Sequence, residues 1–212
     1  MLGLPKKIAP IRALYRFVQF LTFVLFRVFF RIEIHGLENV PKDGGAILAP
    51  NHSSWLDPPL IGCIIPREIS FFAKKELFSV PVVGWFIAYA NSISVDRQGQ
   101  SSGALRELIR RLKGGMVSIV FPEGTRSKTG DFLKPKQGAG MAAVMSSVPV
   151  VPVWIEGAFK AKAFRTKIKV HFMPPFNPAD IEAETKKEHY LLVSERIMCD
   201  ITSLSEHSRG RK

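Results

Sequence analysis

The chain has 212 residues, enough for one well-buried α/β domain with an appendage. Its 30 basic against 18 acidic residues leave a formal charge of +12, which calls for an anionic partner: nucleic acid, a membrane surface or a phosphorylated substrate. The two cysteines, Cys63 and Cys199, are too few and too far apart for a disulfide framework or a metal site. They fit a reducing compartment.

The first segment, residues 1–31, carries Lys6, Lys7, Arg12, Arg16, Arg27 and Arg31 and no acid. Between Arg16 and Arg27 runs an uncharged, mostly apolar and aromatic-rich stretch only about half as long as a bilayer-spanning helix needs. Basic flanks around such a body predict a helix lying in the membrane interface, with arginine stems reaching toward headgroups. A tilted span and a helix buried on the domain are the alternatives. No small-residue cleavage site follows, so a secretory signal is not expected. The aromatics are not interleaved with basic residues as base-stacking platforms would be, which argues against nucleic acid.

From Arg31 the period changes. Residues 31–35 alternate as an edge strand would, and residues 46–49 read as a buried strand that leads into a polar loop. A helix is expected over 57–65, a strand over 68–73, a helix of mixed apolar and small residues over 80–89, and a strand over 92–95. Leu105, Leu108, Ile109 and Leu112 mark a helix over 103–113, stopped by Gly114-Gly115. Strands follow at 116–121, 148–155 and 167–172, with a small-residue helix over 138–147 and a C-terminal helix over 180–204. Strands alternating with helices predict an α/β fold, a mainly parallel sheet flanked by helices, with the N-terminal arm attached. The expected division is therefore a membrane arm over 1–31, an α/β domain over 32–204 and a basic tail over 205–212.

Three polar loops follow strands in this reading and would meet at the carboxyl edge of the sheet. The first is Asn51-His52-Ser53-Ser54-Trp55-Leu56-Asp57. If it turns into a helix near Leu56, Asp57 can fold back on His52, fix its tautomer and leave one ring nitrogen as a general base. The plainer alternative is a capping aspartate and a surface histidine that never meet. The second loop holds Asp96-Arg97, and the third Pro122-Glu123-Gly124-Thr125-Arg126-Ser127. Arg97, Arg126, Lys134 and Lys136 are candidate phosphate ligands, and Lys136 also opens a helix whose free N–H groups favour an anion. Gly124 would let a ligand approach the backbone, and Glu123 would either accept from a substrate hydroxyl or tether Arg126. No Gly-x-Ser-x-Gly elbow, His-Glu-x-x-His zinc pattern or Walker loop is present. A base without a protein nucleophile points to activation of a substrate hydroxyl.

These residues, taken together, resemble the glycerolipid acyltransferase family, in its 1-acylglycerol-3-phosphate O-acyltransferase branch. Asn51 to Asp57 fits the family's His-x4-Asp box, and Phe121-Pro122-Glu123-Gly124-Thr125-Arg126-Ser127 reproduces the third block in full. Asp96-Arg97 fits the second block, although Ser92 and Ser94 replace the usual Gly and Phe, and Val148-Pro149-Val150-Val151-Pro152-Val153 fits the fourth. The resemblance implies a glycerol-3-phosphate acyltransferase-like fold. It implies that His52, oriented by Asp57, deprotonates the sn-2 hydroxyl of lysophosphatidate for attack on acyl-CoA or acyl-carrier protein, giving phosphatidate for phospholipid biosynthesis. Arg97, Glu123, Gly124, Thr125, Arg126 and Lys136 would bind the glycerol phosphate. No metal or cofactor is expected beyond the thioester co-substrate. The expected partners are membrane phospholipids, the expected place the cytoplasmic face of the cell membrane. Other acceptors, namely glycerol 3-phosphate or another lyso-lipid, and a non-catalytic lipid-binding protein are the competing readings.

Overall fold

The computed structural model describes residues 12–80, 84, 87, 91–95 and 101–209. Among these, helix α1 (Arg12–Phe29) leads into strand β1 (Arg31–His35), then β2 (Ala46–Pro50), α2 (Asp57–Ile64), β3 (Ile69–Lys74) and β4 (Ile93–Val95). Helix α3 (Ser101–Lys113), β5 (Val117–Ile119), α4 (Gln137–Ser146), β6 (Val150–Glu156), β7 (Lys167–Phe172) and α5 (Lys186–Arg209) complete the order. The strands form one sheet in the order β1-β7-β6-β2-β5-β3-β4. Every described pairing is parallel except β6 with β7, so β1 and β7 run against the other five strands.

The burial pattern follows from this order. Every residue of β2 is buried, as a strand between two parallel neighbours and under helices on both faces must be. Along β2 the side chains split by the pleat. Ala46 and Leu48 join the core under α1 and α2, with Leu60, Ile61, Ile69 and Val153. Ile47 and Ala49 join the opposite core, with Leu108 and Leu112 of α3, Ala142 of α4, and Ile197 and Ile201 of α5. On edge strand β1 only Ile32 is buried; Glu33 and Ile34 are both half-buried, so the alternation its sequence predicts is only partial.

Helix α4 and helix α5 meet at Gly140, whose N–H donates to Ser194 Oγ at 2.9 Å. A Cβ there would lie 1.9 Å from Tyr190 O, so only glycine permits this approach.

Several expectations need correction. The C-terminal helix begins at Lys186, after a single 3-10 turn at Pro178–Asp180, and it runs to Arg209. Ser205, expected to open a loose tail, is 1% exposed against the domain. The helix expected over residues 80–89 falls largely outside the described residues. Within it, Gly84 is buried, and a Cβ there would sit 2.2 Å from Phe78 O. Bulk added at Gly84 would therefore displace backbone.

The arm helix packs one face on the domain. Tyr15 and Phe26 are buried, Tyr15 Oη accepts from Ile69 N–H at 3.2 Å, and Gln19 Nε2 donates to Gly62 O and Ile65 O at 2.8 and 2.6 Å. The last contacts satisfy carbonyls at the C-terminal end of α2, which an isolated helix leaves without partners. The other face exposes Phe17, Phe20, Leu21, Leu25 and Val28. Among the described residues no helix is long and apolar enough to cross a membrane.

Candidate active site

Strand β2 ends at Pro50 and the chain turns through residues 51–56 before α2 starts. Asp57 is the first residue of that helix, 0% exposed, with Pro58 and Pro59 behind it. Its Oδ2 accepts three hydrogen bonds: from His52 Nδ1 at 2.9 Å, Ser53 N–H at 2.8 Å and Ser54 N–H at 2.7 Å. Two backbone amides and the ring nitrogen together fix the direction of this buried carboxylate. It fixes the proton of His52 on Nδ1 and leaves Nε2 as the acceptor. The histidine and aspartate therefore meet, as the folded-back alternative requires.

The ring is held from its other sides as well. It stacks on Phe121 with centroids 3.9 Å apart and planes inclined by 24°, and its side chain is only 15% exposed. The loop is pinned to strand ends on either side of β2. Asn51 brackets the backbone of Ile155 through Oδ1 at 2.7 Å and Nδ2 at 3.2 Å, and His52 O accepts from Ser127 N–H at 2.8 Å.

Glu123 is not the substrate ligand or the Arg126 tether that the sequence suggests. It is 1% exposed, and its two oxygens accept from His52 N–H at 2.8 Å and Leu133 N–H at 3.1 Å. Burial pushes its carboxyl above the usual range, while the two amide donors pull in the opposite direction. Glu123 thus fastens the β5 loop beneath the histidine.

Gly124, Thr125 and Arg126 do face the site. With His52, they line a cavity of about 1150 Å³. Arg126 lies over the Trp55 ring with 4.6 Å from guanidinium carbon to centroid, a stacked cation at the cavity wall. Gly124 adopts φ 65°, and a Cβ there would come within 2.9 Å of Lys136 Cδ. Its missing side chain, at the cavity wall, leaves room for the Lys136 stem. Lys136 itself precedes the first turn of α4 and is exposed; it is not among the residues that line the cavity, whereas Gly138 and Ala139 of that turn are. Lys134 is exposed. Arg97 lies outside the described residues.

Sequence reasoning missed two cations and the cavity's greasy wall. Lys74 at the end of β3 and Lys128 beyond the third loop line the same space as Arg126. The wall includes Tyr15, Val18 and Thr22 of α1 and Pro59 of α2, so the arm helix forms part of the site. Only a three-dimensional fold could bring α1 there. Asn51, Trp55 and Phe121 stood inside the recognised strings, but their roles as clamp, cation platform and ring stack depend on geometry. Cys63 also lines the cavity, yet burial pushes its thiol up to about 12, which removes it as a nucleophile. Among the described residues no group of three His, Cys, Asp or Glu could hold a metal ion.

The arrangement sets the Asp57-held His52 on the wall of a large, mainly apolar cavity that also carries cations. Comparison with known proteins shows the family. Residues 31–156 match the profile of a family described as acyltransferase. The chain is 31% identical over 169 residues to a 1-acyl-sn-glycerol-3-phosphate acyltransferase of Bacillus subtilis, covering 78% of this chain and 84% of that one. It is 37% identical over 158 residues to the protein of the same name from Pseudomonas aeruginosa, covering 69% of this chain but 60% of that one. The crystal structure of the 1-acyl-sn-glycerophosphate (LPA) acyltransferase from Thermotoga maritima superposes with a TM-score of 0.75 at 33% identity, over 90% of this chain and 79% of that one. A profile match across more than half of the sequence, and an alignment spanning most of the Bacillus relative, make this chain a member of the acyltransferase family.

Proposed function

We propose that the protein transfers an acyl group from acyl-CoA or acyl-carrier protein to the sn-2 hydroxyl of 1-acylglycerol 3-phosphate, producing phosphatidate. The observation that carries this reading is the Asp57-held His52, with Nε2 left as proton acceptor beside a cavity large enough for lipid chains. The names of the bacterial relatives support the acceptor.

In this mechanism His52 Nε2 takes the proton of the sn-2 hydroxyl as its oxygen attacks the thioester carbonyl carbon. Asp57 stabilises the imidazolium that forms. Collapse of the tetrahedral adduct breaks the carbon–sulfur bond, and the departing sulfur takes the proton back from His52. Arg126, Lys74 and Lys128 offer charge to the acceptor phosphate, Arg126 through a planar donor fork. The apolar wall shared by α1 and α2 receives acyl chains. No cofactor or metal takes part in these steps.

The reading sets the enzyme peripherally on the cytoplasmic face of the membrane. Its α1 lies in the interface, where acceptor and product also reside. Thiol release from acyl-CoA and from acyl-carrier protein, with lysophosphatidate present or absent in detergent micelles, tests the reaction. Release should depend on the acceptor, and His52→Ala should lower turnover by at least about 10²-fold while the fold persists. Release that ignores lysophosphatidate but follows another lyso-lipid would move the acceptor. No release with any acceptor would replace the enzyme with a lipid-binding protein.

A further inference from the structure

The apolar outer face of α1 does not end with the helix. Its last turn meets the connection between β6 and β7, residues 157–166, where Phe164 N–H donates to Phe29 O at 2.6 Å and the two rings lie 5.2 Å apart. Phe164 is 69% exposed, more than any of the exposed apolar residues of α1 named above, and it stands beside Phe29, itself 39% exposed. Its φ of 61° is disfavoured for a bulky aromatic, and Lys160 in the same connection adopts φ 51°. Antiparallel strands can be closed by much shorter turns, so a connection of this length and conformation is not needed to join β6 to β7. It presents an aromatic tip instead.

The charges agree with that reading. The connection contains Lys160, Lys162 and Arg165 and no acid. Lys162 and Arg165 are exposed, and Lys160 lies over the Phe159 ring at 5.1 Å. The flanking acids are already engaged, Glu33 with Lys167 at 2.6 Å and Glu156 with Lys169 at 3.1 Å. An exposed aromatic in a basic connection without acids, beside an apolar helix face, suits one surface: a bilayer carrying anionic headgroups.

We infer that this connection is a second membrane foot, with Phe164 inserted beside α1 and Lys160, Lys162 and Arg165 on anionic lipid phosphates. A single interfacial helix leaves the protein free to roll about the helix axis. A contact set to the side of α1 stops that roll and fixes how the cavity beside α1 meets the leaflet. The inference rests on the membrane-arm reading above and adds a site outside the arm.

Flotation of the full chain with phosphatidylcholine vesicles, with and without about 30% phosphatidylglycerol, tests it. Phe164→Asp should lower partitioning about tenfold or more on both vesicles. Replacing Lys160, Lys162 and Arg165 by serine should lower it about fivefold per cation on the anionic vesicles and little on the neutral ones. Both variants should retain wild-type melting and wild-type turnover of a short-chain monomeric acceptor, and lose turnover on vesicle-borne acceptor. If Phe20→Asp abolishes binding while both loop variants bind like wild type, the foot is refuted and the arm stands. If wild type floats with neither vesicle, both fail together.

Discussion

Replacing Glu123 by glutamine separates the structural role of this residue from the ligand role its motif suggests. The carboxylate accepts one backbone N–H with each oxygen, from His52 at 2.8 Å and from Leu133 at 3.1 Å, and it is 1% exposed. Glutamine has a single acceptor oxygen, so one of the two amides would face an NH2 group with no water to turn to. A hydrogen bond to a charged acceptor is worth about 1.5–3 kcal/mol, and a stranded buried donor costs about 1–3 kcal/mol. Burial opposes the carboxylate's charge here, which offsets part of the loss. The net cost should be about 2–3 kcal/mol, or about 4–12 °C in Tm for a chain of this size. Because the lost bond anchors the His52 backbone or its neighbouring loop, kcat should fall about 10–100-fold, the range expected of a small misplacement of a catalytic group. The KM for lysophosphatidate should stay within about threefold, since Glu123 does not meet the cavity. Thermal melts and steady-state thiol release measure both. A tenfold rise in KM at unchanged Tm and kcat would refute the reasoning and restore Glu123 as a substrate ligand.

Arg126→Ala should raise the KM for the phosphorylated acceptor about tenfold or more with a smaller effect on kcat; a change confined to the acyl donor would move Arg126 to the other subsite. Gly140→Ala should destabilise by about 1–3 kcal/mol or more, because its methyl would meet Tyr190 O across the α4–α5 contact; an unchanged urea midpoint would refute that contact. His171, stacked between His35 at 4.7 Å and Trp154 at 4.9 Å, is held below its ordinary value of 6.5, first by burial and then by His35. Lys169 adds to this, and Glu156 and Glu33 oppose it. A depressed native pKa means the unfolded chain binds more protons, so this contribution to stability is full above the ordinary value and is lost as pH falls through the native one. His171→Phe keeps the stack and removes the titration. The drop in urea midpoint from about pH 7.5 to about pH 5 should then be smaller than in wild type, and equal drops would refute the assignment.

How much of this was legible in the residues depended on how local the cause was. Period and punctuation sufficed for several elements: the all-apolar run of β2 and the Gly114-Gly115 stop of α3 each depend on neighbours in sequence. The His52–Asp57 pair was legible for the same reason, since five positions and one turn bring the two side chains together. Glu123 was misread because its partners, His52 N–H and Leu133 N–H, come from loops after two strands, and no pattern in a string of letters distinguishes an acid aimed inward from one aimed at a ligand. Lys74 and Lys128 were missed because, read singly, they resemble solvated surface charge.

The sequence by itself determined the fold class, the spacing that pairs His52 with Asp57, the basic and apolar pattern of the arm, and the family, because each rests on local spacing or on a contiguous string. The tertiary structure alone decided that α1 walls the cavity it serves, that Glu123 anchors rather than binds, and that Phe164 stands beside Phe29 on a shared apolar surface. Those facts join residues from distant parts of the chain. Which distant side chains meet is set by sheet order and helix packing, the sum of many weak contacts, and no single stretch of sequence encodes it.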